Sequence, residues 1–277
     1  MSAIGGQRRT GSVIAVFARP LAALTAFGEA SRFCLKVAAN VLDGKVFRFI
    51  GETLRQAGIL IVGSALIVLG LVFILGLQCG IEGAYAAKTV GAPSSTGAIT
   101  ALCDLREVIP YAFGYMMAAK VGTGFVAELG SMRISDEIDA LDVMGLDSVL
   151  YLGSTRLLGT WLVLPFLYMI AVAIGFVASY LADVIQLGQV SKGGYLQLFW
   201  QFQSPDDFLF SGIKCMAMAT FIVLVCIYYG YHVTGGPVGV GRATARSMFV
   251  NILGIHLIGL VGTQLFWGGN ARAPIGG

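Results

Sequence analysis

Apolar runs long enough to cross a bilayer constrain this chain more than any other feature. Crossing the ~30 Å hydrocarbon core takes about 20 consecutive apolar residues in a helix. Five such stretches stand out, at 57–77, 110–127, 157–181, 208–229 and 248–267. Across all 277 residues 57% are hydrophobic and 12% charged, against about 45–50% and about 25% in water-soluble domains. No aqueous core absorbs that excess, and the 38 glycines agree, because glycine lets membrane helices approach closely. The expectation is an all-α, polytopic membrane protein with five transmembrane helices.

Residues 1–56 read differently. Arg8, Arg9, Arg19, Arg32, Lys36, Lys45, Arg48 and Arg55 alternate with apolar residues, the pattern of helices lying in the membrane interface. Phe17, Leu21, Leu24, Phe33, Val37, Val41, Phe47 and Ile50 are expected to face the acyl chains. Arg8-Arg9 before an apolar stretch also resembles a secretory signal, but Arg19-Pro20 breaks the run and no small-residue cleavage site follows. These eight basic residues, of 18 Lys and Arg in all, place the N-terminus in the cytoplasm by the positive-inside rule. Five spans then put loops 128–156 and 230–247 inside. Connections 78–106 and 182–207 and the C-terminus fall outside, in a multi-pass protein of the cytoplasmic membrane. The net charge of +3 points to no nucleic-acid partner.

Chemistry-bearing sets are sparse. The five cysteines form no CxxC pair and no Cys/His cluster with metal-ligand spacing, so no metal is expected. Cys34, Cys215 and Cys226 read as small buried hydrophobes. Cys79 and Cys103 share one exoplasmic connection, where either a disulfide or two free thiols is open. Gly236-Pro-Val-Gly-Val-Gly241 follows no strand and precedes no Lys-Ser or Lys-Thr, so it lacks the phosphate-cradling context. Asp206-Asp207 after Pro205 reads as helix capping. His232 and His256 sit at different ends of the last two spans, and no nucleophile, base and orienter set is visible. The chain is expected not to be an enzyme and to hold no cofactor.

The most informative segment is 128–147. Ser135 is expected to cap a helix with acids in its first turn. Ile138, Leu141 and Met144 then recur at helical spacing beside Glu137, Asp139 and Asp142. A short amphipathic helix over 135–147 results, with an apolar ridge and an acidic border. Interfacial helices favour Lys and Arg beside anionic lipid, so the acidic border fits docking into a partner protein better.

The run from Leu105-Arg-Glu-Val-Ile-Pro110 through Ala119-Lys-Val-Gly-Thr-Gly-Phe-Val-Ala-Glu-Leu-Gly-Ser-Met-Arg-Ile-Ser-Asp-Glu-Ile-Asp-Ala-Leu-Asp-Val-Met-Gly145 resembles the signature of the MlaE/YrbE permease family. Gly76-Leu-Gln78 and Tyr229-Gly-Tyr-His-Val-Thr-Gly-Gly-Pro-Val-Gly-Val-Gly-Arg-Ala-Thr244 extend the likeness, which covers most of 57–277. The wording of the second stretch is most similar to the second-paralogue YrbE subunits of the mammalian-cell-entry (Mce) lipid transporters of actinobacteria.

The resemblance implies an ABC transporter in which this chain pairs with a sister YrbE-type permease. A cytoplasmic ABC ATPase dimer would bind ATP and magnesium beneath, and exoplasmic Mce proteins would relay the lipid. It implies that 135–147 is the coupling helix, with Glu137, Ile138, Asp139, Leu141, Met144 and Gly145 meeting the ATPase. It also implies that Gln78, Arg106 and Glu107 lie near the exoplasmic mouth of the lipid path; a structural Arg106–Glu107 interaction at a span end is the open alternative. Tyr111 and Tyr115, one turn apart, line that path or serve the interfacial aromatic belt. Lys120 inside the second span either holds a carbonyl near Gly122 and Gly124 or snorkels to the inner edge. Asp147-Ser148 and Thr155-Arg156 depart from the family's Asp-Pro and Pro-Arg. An acid that some members carry in the last span is missing, leaving His256, which reads as hydrogen-bonded structure. An ATP-independent carrier or channel would want paired ionisable groups at the midplane or an inverted repeat, and a lipid-modifying enzyme convergent His, Asp or Cys. None is visible.

Overall fold

The computed structural model describes residues 10–269, without the side chains of 10–23 and Ala26. The expectations for Arg8, Arg9, Arg19, Phe17 and Leu21 and for the C-terminal tail therefore lie outside the described residues. Ten α-helices follow one another, with no strand among the described residues. They are α1 Thr10–Leu42, α2 Ile50–Thr89, α3 Thr96–Cys103, α4 Ile109–Met116 and α5 Thr123–Ile134, then α6 Glu137–Val143, α7 Thr155–Tyr180, α8 Lys192–Gln201, α9 Pro205–Tyr231 and α10 Gly236–Trp267. Single π-helical stretches at Asp104–Val108 and Met117–Gly122 join α3, α4 and α5 into one continuous run, 96–134. Others flank α7, at Val149–Ser154 and Leu181–Gln186.

Four helical segments are long and apolar enough to cross a membrane: Lys45–Thr89, Val149–Gln186, Pro205–Tyr231 and Gly236–Trp267. They contain the first, third, fourth and fifth expected spans. The second, 110–127, is not among them, because Tyr111, Tyr115, Lys120, Gly114, Gly122 and Gly124 dilute its apolar content. At 1.5 Å per residue even the 27 residues of α9 reach about 40 Å, so helix ends project beyond a hydrocarbon core. Much of what the sequence assigned to connections is therefore helix. α2 runs on to Thr89, and α10 starts at Gly236, so Arg242 and Arg246 are helical rather than in a 230–247 loop.

Close approach holds the bundle together. α2 lies along α7, where Gly76 and Gly80 form a GxxxG face: a Cβ on Gly76 would stand 2.7 Å from the Gly175 carbonyl oxygen, and one on Gly80 2.9 Å from that of Ser179. α9 is central, packed on α5, α7 and α10. Its buried face runs through Cys215, Met218, Ile222, Cys226 and Ile227.

The N-terminal segment corrects one expectation. It is one long helix, α1, followed by a 3-10 turn at Lys45–Phe49. Val37 and Val41 are buried rather than facing acyl chains, Val37 against Gly153. The Phe33 ring packs on Tyr231 and His232 at centroid distances of 5.2 and 5.0 Å. Leu24 and Phe47 do remain exposed. The bundle thus has an α6 end, where α1 docks, and an α8 end, where α2, α3, α8 and the C-terminus of α10 meet.

Candidate functional site

At the α8 end the π-helical stretch at 104–108 turns three ionisable residues into the bundle. Asp104 and Arg106 are buried and Glu107 is half-buried. Arg106 and Glu107 form no ion pair with each other among the described residues. Arg106 Nη2 lies 3.4 Å from Asp207 Oδ1, with the guanidinium 5.3 Å from the centre of the Trp267 ring. Trp267 Nε1 donates to the same Asp207 oxygen at 2.6 Å. Glu107 instead takes Lys214, whose Nζ is 2.9 Å from Oε2 and also donates to the Arg106 carbonyl and Thr263 Oγ1, each at 2.8 Å. Thr263 Oγ1 closes the ring by donating to Glu107 Oε1 at 2.6 Å.

Lys214, whose side chain is 0% exposed, is the pivot. A buried ammonium survives only if its donors are all matched, and here a carboxylate, a carbonyl and a hydroxyl match its three. Asp207 doubles as the expected helix cap: it shares a capping box with Ser204 at the start of α9. Sequence reasoning found Arg106 and Glu107 but missed Asp207 as an ion partner, and missed Lys214, Thr263 and Trp267. Lys214 is a lone cation in an apolar span, and that was the available signal.

Below this cluster Tyr111 lies under Lys214, ring centre 5.0 Å from Nζ, and presses on Gly259, where a Cβ would clash with the phenol. Tyr115 OH is 2.9 Å from His256 Nε2, and His256 Nδ1 meets the Ile252 carbonyl at 2.8 Å. The two tyrosines therefore sit in the α4–α10 seam, and His256 is hydrogen-bonded structure, as expected. An apolar groove of about 500 Å³ between α9 and α10 is lined by Ala217, Leu257, Ile258, Val261 and Leu265 and reaches Lys214. Gln78 is exposed on α2 and makes no hydrogen bond among the described residues. Lys120 is exposed likewise; the Ala119 carbonyl beside it is taken by Thr123 Oγ1 at 2.6 Å.

A second cluster lies beside the first. Cys79 of α2 and Cys103 of α3 are free thiols, so the disulfide that the sequence left open is not formed here. Ser179 Oγ donates to Asp104 Oδ2, and Thr100 Oγ1 to Asp183 Oδ2 at 3.1 Å. The Oδ1 atoms of both acids are buried without a nitrogen or oxygen partner among the described residues.

At the α6 end the run 96–134 stops at Ile134 and the chain turns through Asp136, φ 58°, into α6. The helix is seven residues long rather than 135–147, and Ser135 does not cap it: its hydroxyl donates back to Ser131 O at 2.9 Å and meets Glu137 Oε1 at 2.9 Å. The apolar ridge is split. Ile138 is 0% exposed and Leu141 half-buried, so both anchor the helix to its own bundle, while Met144 is 68% and Val143 89% exposed. Glu137, Asp139 and Asp142 are exposed beside them, and Arg133 Nη1 holds Asp139 at 2.5 Å. Gly145 takes φ 81° to end the helix, a conformation that costs other residues about 1 kcal/mol or more.

The turn beyond is built without the family's proline. Asp147 Oδ1 accepts from Leu150 N and Ser148 Oγ bonds Tyr231 OH at 2.7 Å. Arg156, buried, pairs with Glu128 at 2.8 Å and donates to the Leu152 carbonyl at 2.7 Å, tying α5 to α7.

The sequence profile of a family described as Permease MlaE matches residues 53–265. A probable ABC transporter permease protein of Rickettsia bellii is 31% identical over 176 residues, 64% of this chain and 68% of the relative. One of Synechocystis is 27% identical over 247 residues, 87% and 94% of the two chains. The intermembrane phospholipid transport system permease protein MlaE of Haemophilus influenzae is 26% identical over 208 residues, 74% and 79% of the two.

Proposed function

Because this chain belongs to the MlaE permease family, and is accordingly the membrane-embedded permease subunit of an ABC-type lipid transporter, we propose that lipid movement in it is driven along the single helical run 96–134. Its far end carries Arg106 and Glu107, and its near end passes through one left-handed residue into α6. That one run reaching both places is the observation that carries the reading.

In this reading 96–134 is the second of five spans, stabilised by neighbours rather than by its own hydropathy, with the N-terminus and α6 cytoplasmic and the C-terminus exoplasmic. α6 is the coupling helix. Met144 and Val143 enter a groove on an ABC ATPase dimer, Glu137, Asp139 and Asp142 set its register, and Ile138 and Leu141 root it in the permease. ATP and magnesium belong to that partner. The lipid enters the apolar groove between α9 and α10, with its polar end at the Lys214–Glu107 and Arg106–Asp207 pairs, where a headgroup exchanges partners with them. Gln78, Tyr111 and Tyr115 border that path. A sister YrbE-type permease completes it, and exoplasmic Mce proteins hand lipid on, an assignment that rests on the wording of Tyr229–Thr244.

The test is an α6 variant, Asp139→Lys with Met144→Asp, both on exposed positions. The expected result is an intact, lipid-binding permease whose lipid transport in proteoliposomes falls at least tenfold and whose ATPase partner co-purifies poorly. Undiminished transport by that variant contradicts the reading.

A further inference from the structure

We propose that the α6 end of the α9–α10 seam holds an anionic phospholipid of the inner leaflet, its phosphate on Arg242 and Arg246 and an acyl chain in the groove beside Tyr229 and Phe249. This rests on the orientation given above, which makes the α6 end cytoplasmic.

Three observations meet there. A groove of about 290 Å³ is lined by Tyr229 of α9 and by Ala245, Arg246, Phe249 and Val250 of α10. Arg246 is the one charged residue in that lining. Next, Arg242 stands one helical turn before Arg246, so the two share a face of α10. Both are exposed, and neither makes an ion pair or hydrogen bond among the described residues, whereas Arg106, Arg133 and Arg156 each hold a carboxylate. α10 carries no Asp or Glu from Gly236 to Trp267, and the acids of α9, Asp206 and Asp207, lie at its opposite end. Neither helix therefore supplies an acid that competes for the two guanidinium groups.

Depth is the third observation. The fifth apolar stretch begins at Met248, two residues after Arg246 and six after Arg242. At 1.5 Å per residue the two backbones stand about 3 and about 9 Å outside the hydrocarbon edge, the depth of lipid phosphates for side chains that can reach back along the helix. Phe249 and Val250 lie just inside that edge.

A guanidinium matches phosphate oxygens with a fork of N–H donors, and basic pockets between membrane helices on the cytoplasmic side suit anionic headgroups. Soluble phosphate would use the arginines and leave the groove unfilled. A zwitterionic lipid would fill the groove but bring its own ammonium towards the guanidinium groups. An anionic phospholipid meets both demands. The site is distinct from the Lys214–Glu107 cluster: Thr263, which belongs to that cluster, lies 17 residues beyond Arg246, about 26 Å along α10.

Native mass spectrometry of the permease complex, released from nanodiscs of equal phosphatidylglycerol and phosphatidylcholine, tests this. The native complex is expected to retain phosphatidylglycerol over phosphatidylcholine. Arg242→Gln with Arg246→Gln is expected to lower the retained phosphatidylglycerol about tenfold or more. Ala245→Trp, which keeps both charges and fills the groove, is expected to lower it likewise. Arg32→Gln with Arg48→Gln removes the same charge elsewhere on the cytoplasmic side and is expected to leave it unchanged. All five positions are exposed, and melting temperatures are measured alongside. Equal retention of the two lipids by the native complex overturns the site, as does an equal loss in the Arg32 and Arg48 variant, which makes the attraction diffuse. Displacement of the lipid by inorganic phosphate assigns the arginines to a soluble anion instead. A crosslink from Ala245→Cys to a second permease subunit, with no lipid retained, makes the groove a subunit interface and overturns the site too. In each of these cases, labelling of Ala245→Cys by an impermeant maleimide from the cytoplasmic side leaves the permease reading standing. Labelling only from outside overturns the site and the orientation together.

Discussion

Lys214 shows what a single residue decides in this protein. Its ammonium is fully buried while its partner Glu107 is half-exposed, so the two members of the pair are not equivalent. Glu107→Gln leaves a buried charge short of its counter-ion, whereas Lys214→Met leaves a carboxylate that water reaches. Glu107→Gln is therefore expected to cost about 1–2 kcal/mol and Lys214→Met less, read as melting temperatures of the purified permease. Both variants are expected to lose lipid transport, because both remove the ion pair at which the proposed reading places the headgroup. At this scale the sequence was half legible. Arg106 and Glu107 announce themselves as charges at the edge of an apolar run, but their partners lie 101 to 156 residues away, and only the packing of α9 and α10 on the run 96–134 brings Asp207, Lys214 and Thr263 to them.

Helices are where the sequence spoke most clearly, and its errors there have physical causes. Four of the five expected spans lie in helices long and apolar enough to cross a membrane, because hydropathy is a local property. It did not find where helices end, because α2 and α10 continue past the apolar windows and α7 is prolonged at both ends by π-helical turns. The run 96–134 has too many tyrosines and glycines for its length, and it is held instead by neighbours, as Tyr111 on Gly259 shows. α6 was recognisable by its three-residue spacing. That spacing cannot say which side faces in, and Ile138 and Leu141 turned out to be its root rather than its tip. The α2–α7 seam gives a direct test of element packing. Gly76→Leu would drive a side chain into the Gly175 backbone 2.7 Å away, so a loss of about 2–3 kcal/mol is expected. Gly70→Leu on the same helix, with nothing within 4 Å, is expected to leave the melting temperature unchanged.

Taken as a whole, the molecule is a bundle with a polar cluster at each end and one helical run joining them. The Arg156–Glu128 pair fastens that run to α7 near α6, and the Lys214–Glu107 and Arg106–Asp207 pairs fasten it to α9 at the other end. In the proposed reading a push on α6 passes the left-handed turn at Asp136 and the π-helical turn at 117–122, where the run can bend, before it reaches Arg106 and Glu107. Spin labels at Gln78 and Leu265, both exposed at the α8 end, measure that transmission in the complex assembled with its ATPase. ATP trapped by vanadate is expected to change the distance between them by several ångströms in the native permease. In Asp139→Lys with Met144→Asp no such change is expected; an equal change in both proteins would contradict transmission from α6 along the run.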